Sequence, residues 1–223
     1  VIGLLEEATV ARKKDVSERM LDAALALAAK QGWRDLSLAA IAGEAGANLA
    51  EAQAAFPSRS CLLAALLART DREVLAAGLA DEGDSVRDRL FDVLMRRFDA
   101  LQPHKDGIAA ILRDLPADPL GMLVAAPRLL NSMAWMLEAA GVRASGPFGL
   151  ARAKGLAIVY LATLRVWLRD DTEDMAPTMA ALDRALRRAG QVARMCRPLP
   201  RPCRRRATQN VDAGDDAGES VPA

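Results

Sequence analysis

Asn48, Leu49, Ala50, Glu51, Gln53 and Ala54 fall in one short stretch whose side chains have the chemistry to read a nucleic acid. A glutamine such as Gln53 pairs bidentately with adenine, and a carboxylate such as Glu51 accepts from the cytosine amine. Arg34 and Ser37 stand at the entrance to a preceding short helix, and Ser58 with Arg59 opens a following one. Hydroxyl and guanidinium groups at such places hold phosphates. Charge works against this reading. No Lys or Arg lies in 48–54, and between Arg12 and Ser60 seven basic residues stand against six acidic ones. DNA affinity comes largely from neutralised phosphates, so this head should bind weakly and release as salt rises. Two features compensate: Arg12-Lys13-Lys14 could lie in a minor groove, and a dimer would double every contact.

The elements that position these residues follow from periodicity and punctuation. An amphipathic helix is expected over about 15–30, stopped by Gly32. Ser37 caps a short helix ending near Ala45-Gly46, and Asn48 caps a second one to Ala55. Phe56-Pro57 breaks the chain, and Ser58 starts a long helix reaching about residue 80. Two short helices joined at Gly46 between longer ones form a helix-turn-helix. Further helices are expected at about 85–101, 104–113, 119–126, 128–140, 148–169 and 174–193. Pro127 breaks, or only kinks, one longer helix.

This divides the chain into a flexible basic arm (1–14), a helix-turn-helix domain (15–62) and a larger helical domain (84–193). A disordered tail closes it (194–223), rich first in Arg and Pro, then acidic. Aromatics make up only 4% of the 223 residues, and Ala and Leu dominate the apolar set, which points to an all-α fold. A net charge of +1 excludes a protein that coats nucleic acid by bulk charge. One histidine, His104, cannot build a histidine-based metal centre, and it is expected exposed at a helix start. No metal, cofactor or catalytic residue is expected, since no nucleophile–base pair or phosphate loop stands out. Three cysteines do not make a disulfide framework, which fits a reducing cytoplasm. Cys61 reads as a small core group. The longest apolar run, Gly155 to Leu164, is too short to span a bilayer, so no transmembrane segment is expected.

The larger domain carries many flexible or flat apolar groups. Phe91, Met95, Phe98, Met122 and Met133 form the first part of the set, and Trp135, Met136, Tyr160 and Trp167 the rest. Such residues suit a pocket for a small hydrophobic ligand, or are ordinary core. Arg96 and Arg97 read as a solvated helix face, with an acidic ligand as the alternative.

The helix-turn-helix block resembles the tetracycline-repressor (TetR) family of regulators. The residues that carry this are Leu21-Asp22-Ala23-Ala24, Gly32-Trp33, Leu36-Ser37-Leu38, Ile41-Ala42, Ala45-Gly46, Phe56-Pro57-Ser58-Arg59 and Leu62-Leu63. The resemblance implies an all-α fold, a DNA-reading N-terminal domain and a larger domain that dimerises and holds a small apolar ligand. It departs from the family at Gln53 and Ala55, where Tyr and His are usual. It also implies double-stranded DNA with a palindromic operator as partner. The dimer surface it implies is Ala153, Leu156, Ala157, Leu161 and Leu164 on one helix, with Met179, Leu182 and Leu186 on the next. The alternative is that these eight face their own core. From Val86 to Gln191 the chain is also similar to the coenzyme Q biosynthesis protein nine family, ubiquinone-biosynthesis accessory proteins. Arg87-Asp88 with Arg96-Arg97 and Met133-Ala134-Trp135-Met136 carry this similarity, which implies an isoprenoid ligand and a helix-turn-helix that no longer binds DNA.

Overall fold

The computed structural model describes residues 2–81, 83–146 and 148–195, with residues 2–14 as backbone only. Among the described residues every regular element is helical: α1 (Ile2–Gln31), α2 (Leu38–Glu44), α3 (Leu49–Ala55), α4 (Arg59–Ala76), α5 (Val86–Leu101), α6 (Lys105–Asp114), α7 (Pro119–Ala139), α8 (Gly149–Trp167) and α9 (Ala176–Met195). The segment expected as a flexible arm is instead helical from Ile2 and continuous with α1. Leu, Ala, Glu, Arg and Lys run through it without proline, so nothing stops the helix from propagating. The tail expected from residue 194 lies outside the described residues beyond Met195, where α9 ends.

The three-helix head is set by caps. Ser37 Oγ accepts from the Ala40 amide at 3.0 Å, and Ser58 Oγ from the Cys61 amide at 3.3 Å. Asn48 and Glu51 form a reciprocal capping box at α3, at 2.9 and 3.1 Å. Gly32 (φ +86°) closes α1 and Gly46 (φ +62°) turns α2 into α3, a backbone region that favours glycine. Met20, Ile41, Leu62 and Trp33 fill the small core beneath.

The larger domain packs on the head through α6 against α1 and α7 against α4. Gly107 makes the first crossing possible, because a Cβ there would stand 2.5 Å from the Leu25 carbonyl oxygen. α7 runs unbroken through Pro127. Pro127 and Leu123, whose carbonyl loses its partner, both lie on the exposed side, where water solvates the freed group. This continuity corrects the expectation of no long apolar run: α7 is long and apolar enough to cross a bilayer. Here it is a bundle helix, with Met133, Met136 and Leu137 buried.

The α8–α9 corner turns on Asp170. Its carboxylate accepts from the Thr172 hydroxyl at 2.6 Å, the Thr172 amide at 3.2 Å, the Thr178 amide at 3.0 Å and the Thr178 hydroxyl. Burial alone would raise its pKa, but these donors outweigh burial and bring it down to about 2. A carboxyl depressed in the folded state stabilises the fold above about pH 4, and that contribution is lost as pH falls through about 2. Asp170→Asn should lower stability at neutral pH by about 1–3 kcal/mol. In urea unfolding series its deficit against the parent should narrow between pH 4 and 2. A deficit independent of pH would contradict this assignment.

Candidate functional site

On α3 the inward residue is Ala52, and Ala50, Gln53 and Ala54 are exposed. Leu49 is 65% exposed at the start of the same helix. The face offered outward is therefore one amide among small and apolar groups. Glu51 is half-buried and turned back to the Asn48 amide, so its carboxylate serves the helix start rather than a base edge. Asn48, Ser37 and Ser58 are likewise engaged as caps.

Arg59 has a role the sequence reading missed. Its Nη1 donates to the carbonyls of Trp33, Arg34 and Leu36 at 3.1, 2.8 and 3.1 Å, and its guanidinium lies 5.8 Å from the Trp33 ring centroid. The same turn is held from its amide side. Asp114, at the end of α6, accepts from the Trp33 and Arg34 amides at 2.9 and 3.1 Å. The Arg34 amide leads in holding the Asp114 carboxyl below its ordinary range. Turn 33–36 leads into α2, so the larger domain grips the head close to α2 and α3. The signal in sequence was weak: only the three-dimensional fold brings Asp114 beside residues 33–34.

The larger domain brings part of the expected ligand set together. Phe98 stacks on Tyr160 with centroids 5.5 Å apart and lies 5.8 Å from Trp167. Met133 and Met136 are fully buried in the same core. Phe91 and Met95 are half-buried. Met122 and Trp135 are not gathered in: they are 46% and 51% exposed on α7. Helical phase explains Trp135, which sits two residues from Met133 and so on the opposite side. Met122 shares the phase of Met133 and is exposed because it stands at the start of α7, where Leu120 and Leu123 are exposed as well. An open groove of about 350 Å³ brings Phe91 beside Met179, Ala180, Asp88 and Asp183. The Trp167 indole donates to Gln102 Oε1 at 2.8 Å and closes the far end of the aromatic group.

Arg97 departs furthest from expectation. It was read as solvated and is wholly buried. It donates through Nη1 to Asp71 on α4, whose Oδ1 also accepts from Ser132 on α7 at 2.6 Å. Its guanidinium stands 5.3 Å from the Tyr160 ring centroid. Burial opposes its charge, but the Tyr160 phenol and the Asp71 carboxylate outweigh that and raise its pKa. Arg96, by contrast, lies near the surface and reaches the Gly78 carbonyl. His104 is half-buried rather than exposed. Its pKa is lowered by burial and then by Arg69, against the pull of Asp22 and Glu73.

Of the expected dimer set, Ala153, Leu156, Ala157, Leu164, Leu182 and Leu186 are buried in the protomer's own core. Leu161 is 41% exposed and Met179 half-buried. The outward apolar residues of α8 are Leu150, Ile158 and Leu161.

Replacing Arg59 by Met should cost about 1–3 kcal/mol through the three carbonyls it leaves behind. Arg34→Ala, an exposed side chain, should stay within about 0.5 kcal/mol. Thermal unfolding of the two variants checks this, and equal effects would contradict the clamp.

No family model matches the chain, and no curated protein matches it. Solved structures do. A TetR transcriptional regulator from Nitrosomonas europaea ATCC 19718 superposes with a TM-score of 0.64 at 24% identity, over 78% of this chain and 98% of its own. A TetR transcriptional regulator from Rhodococcus sp. RHA1 gives 0.60 at 20% identity, over 80% and 97%. Thermus thermophilus FadR, a TetR-family repressor in complex with lauroyl-CoA, gives 0.51 at 21% identity, over 83% and 98%. These likenesses show the fold: the chain has the all-α fold of TetR-family transcriptional regulators.

Proposed function

We propose that this chain is a DNA-binding transcriptional regulator of the TetR type, and not an enzyme. It acts as a homodimer on a palindromic operator and is controlled by a small apolar ligand in the larger domain. The observation that carries the reading is the head itself. Three side-chain caps and Gly46 hold α2 and α3 so that Leu49, Ala50, Gln53 and Ala54 face outward together. Gln53 reads adenine, and the apolar groups meet thymine methyls in the major groove. Arg34, with its exposed side chain, supplies a phosphate contact.

The ligand acts by shifting dimers between binding-competent and incompetent spacings of the two heads. The aromatic core of Phe98, Tyr160 and Trp167, with Met133 and Met136, is the place for it. That FadR of the same fold is in complex with lauroyl-CoA supports control by an apolar ligand. Pairing uses the exposed stripe of α8, Leu150, Ile158 and Leu161, with α9 beside it, as a two-helix contact repeated about a twofold axis.

A second reading is favoured by one observation, the absence of any cation on the outward face of α3. In it the chain is a lipid- or isoprenoid-binding accessory protein of ubiquinone biosynthesis that keeps the fold without the DNA.

Fluorescence anisotropy of the full chain on the DNA flanking its own gene, against sheared DNA, separates the two. The regulator predicts site-specific binding by a dimer that survives near-physiological salt. Gln53→Ala should weaken it about 5- to 100-fold at the cognate site while leaving nonspecific binding unchanged. Binding no better than sheared DNA at every salt concentration would favour the accessory reading.

Ile158→Glu should convert the dimer to monomer in light scattering with helicity unchanged. A dimer that persists in this variant would place the interface elsewhere.

A further inference from the structure

Arg97 has more hydrogen-bonding capacity than its surroundings use. Its Nη1 is engaged by Asp71, while Nε and Nη2 are buried and make no hydrogen bond among the described residues, although the nearby Tyr160 phenol favours the charge. A buried guanidinium N–H without an acceptor is costly, and natural cores rarely leave one. These two donors form one edge of a planar fork, the edge that grips a pair of lone pairs. The fork sits beside Tyr160, whose ring stacks on Phe98, in the aromatic group proposed above for the ligand. Met133 and Met136 are buried on α7 within about a turn of Ser132, and methionine side chains re-pack around guests of varied shape.

Charge narrows the chemistry. Asp71 already neutralises Arg97, and both lie at the junction of α4, α5, α7 and α8. A ligand carboxylate here would leave a net negative charge in a low-dielectric core, which is heavily penalised. A bare hydrocarbon would leave the two N–H groups unanswered. A neutral oxygen acceptor answers both demands.

We infer that the buried Nε–Nη2 edge of Arg97 is the polar anchor of the ligand site, and that the ligand is a neutral apolar molecule bearing a carbonyl oxygen. This rests on the reading of the larger domain as ligand-binding, not on DNA recognition. The anchor also lies where a regulator would want it. The other side of the same guanidinium holds Asp71, on the helix that begins at Ser58 directly after the reading head.

The test uses the full-length protein and three probes of matched chain length: 2-nonanone, nonanoate and nonane. Wild-type protein should bind the ketone roughly tenfold or more tighter than the alkane and the acid, read by thermal shift and calorimetry. The Arg97 Nε–H resonance, slow to exchange because it is buried, should move on ketone addition and not with nonane. Arg97→Lys, which cannot present two parallel donors, should erase the ketone's advantage. Should that variant fail to fold, the wild-type ranking and the Nε–H shift decide alone. Equal affinity for ketone and alkane, tightest binding of nonanoate, an unmoved Nε–H at saturation, or no ketone binding up to its solubility limit would each overturn the proposal. An unmoved Nε–H would indicate that an internal water serves the fork instead. DNA binding measured on the same preparation separates the two readings. Its absence with the ketone preference intact sinks the regulator and leaves the site standing.

Discussion

The Arg97–Asp71 pair is the constraint on which the rest of the molecule depends. A guanidinium with no exposed surface is tolerated in an apolar core only if a carboxylate meets it. Here that carboxylate comes from α4, the helix that begins directly after the three-helix head, and it is steadied by Ser132 of α7. Four helices must therefore keep their register for one charge to stay neutralised. The aromatic group of Phe98, Tyr160 and Trp167 builds outward from the same point.

α4 is fastened along its whole length. Arg59 at its start reaches three carbonyls of turn 33–36, and Arg69 near its middle meets Asp22 of α1 at 2.6 Å. Asp71, two residues on, meets Arg97. The head is thus attached to the larger domain by directional bonds as well as by apolar contact. Asp114 adds a second tether from α6 to the same turn. A change around Arg97 is transmitted to α4 through a bond of fixed geometry, and packed interiors pass such displacements on rather than absorbing them.

Much of the architecture was legible in the sequence, because its signals are local. Ser37, Asn48 and Ser58 act on amides three residues away, and Gly32 and Gly46 act on their own backbone. The helix-turn-helix follows from those alone. Of the residues expected to line a ligand pocket, Phe98, Met133, Met136, Tyr160 and Trp167 lie together in one core, whereas Trp135 falls on the outer phase of α7 and Met122 in its exposed first turn. The phase of Trp135 could be read within the expected helix at 128–140, where it stands two places from the buried Met133. The role of Arg59 and the burial of Arg97 were not legible. Each depends on partners more than twenty residues away, and an arginine beside another arginine carries no mark of which one turns inward. The same limit applies to α8, where Leu156 and Leu164 face the core while Ile158 and Leu161 remain outside.

The measurement that bears most directly on this account is a double-mutant cycle at the hub. Arg97→Met, Asp71→Leu and the pair are compared by urea unfolding at neutral pH. If the ion pair fastens α4 to the larger domain, Asp71→Leu strands a wholly buried charge and should cost about 3–5 kcal/mol, Arg97→Met strands the half-buried Asp71 and should cost less, and the apolar pair should recover most of the larger loss. Single losses below about 1 kcal/mol that simply add in the double variant would contradict it. In that case Arg97 and Asp71 would not depend on each other, and α4 would be held by apolar packing alone.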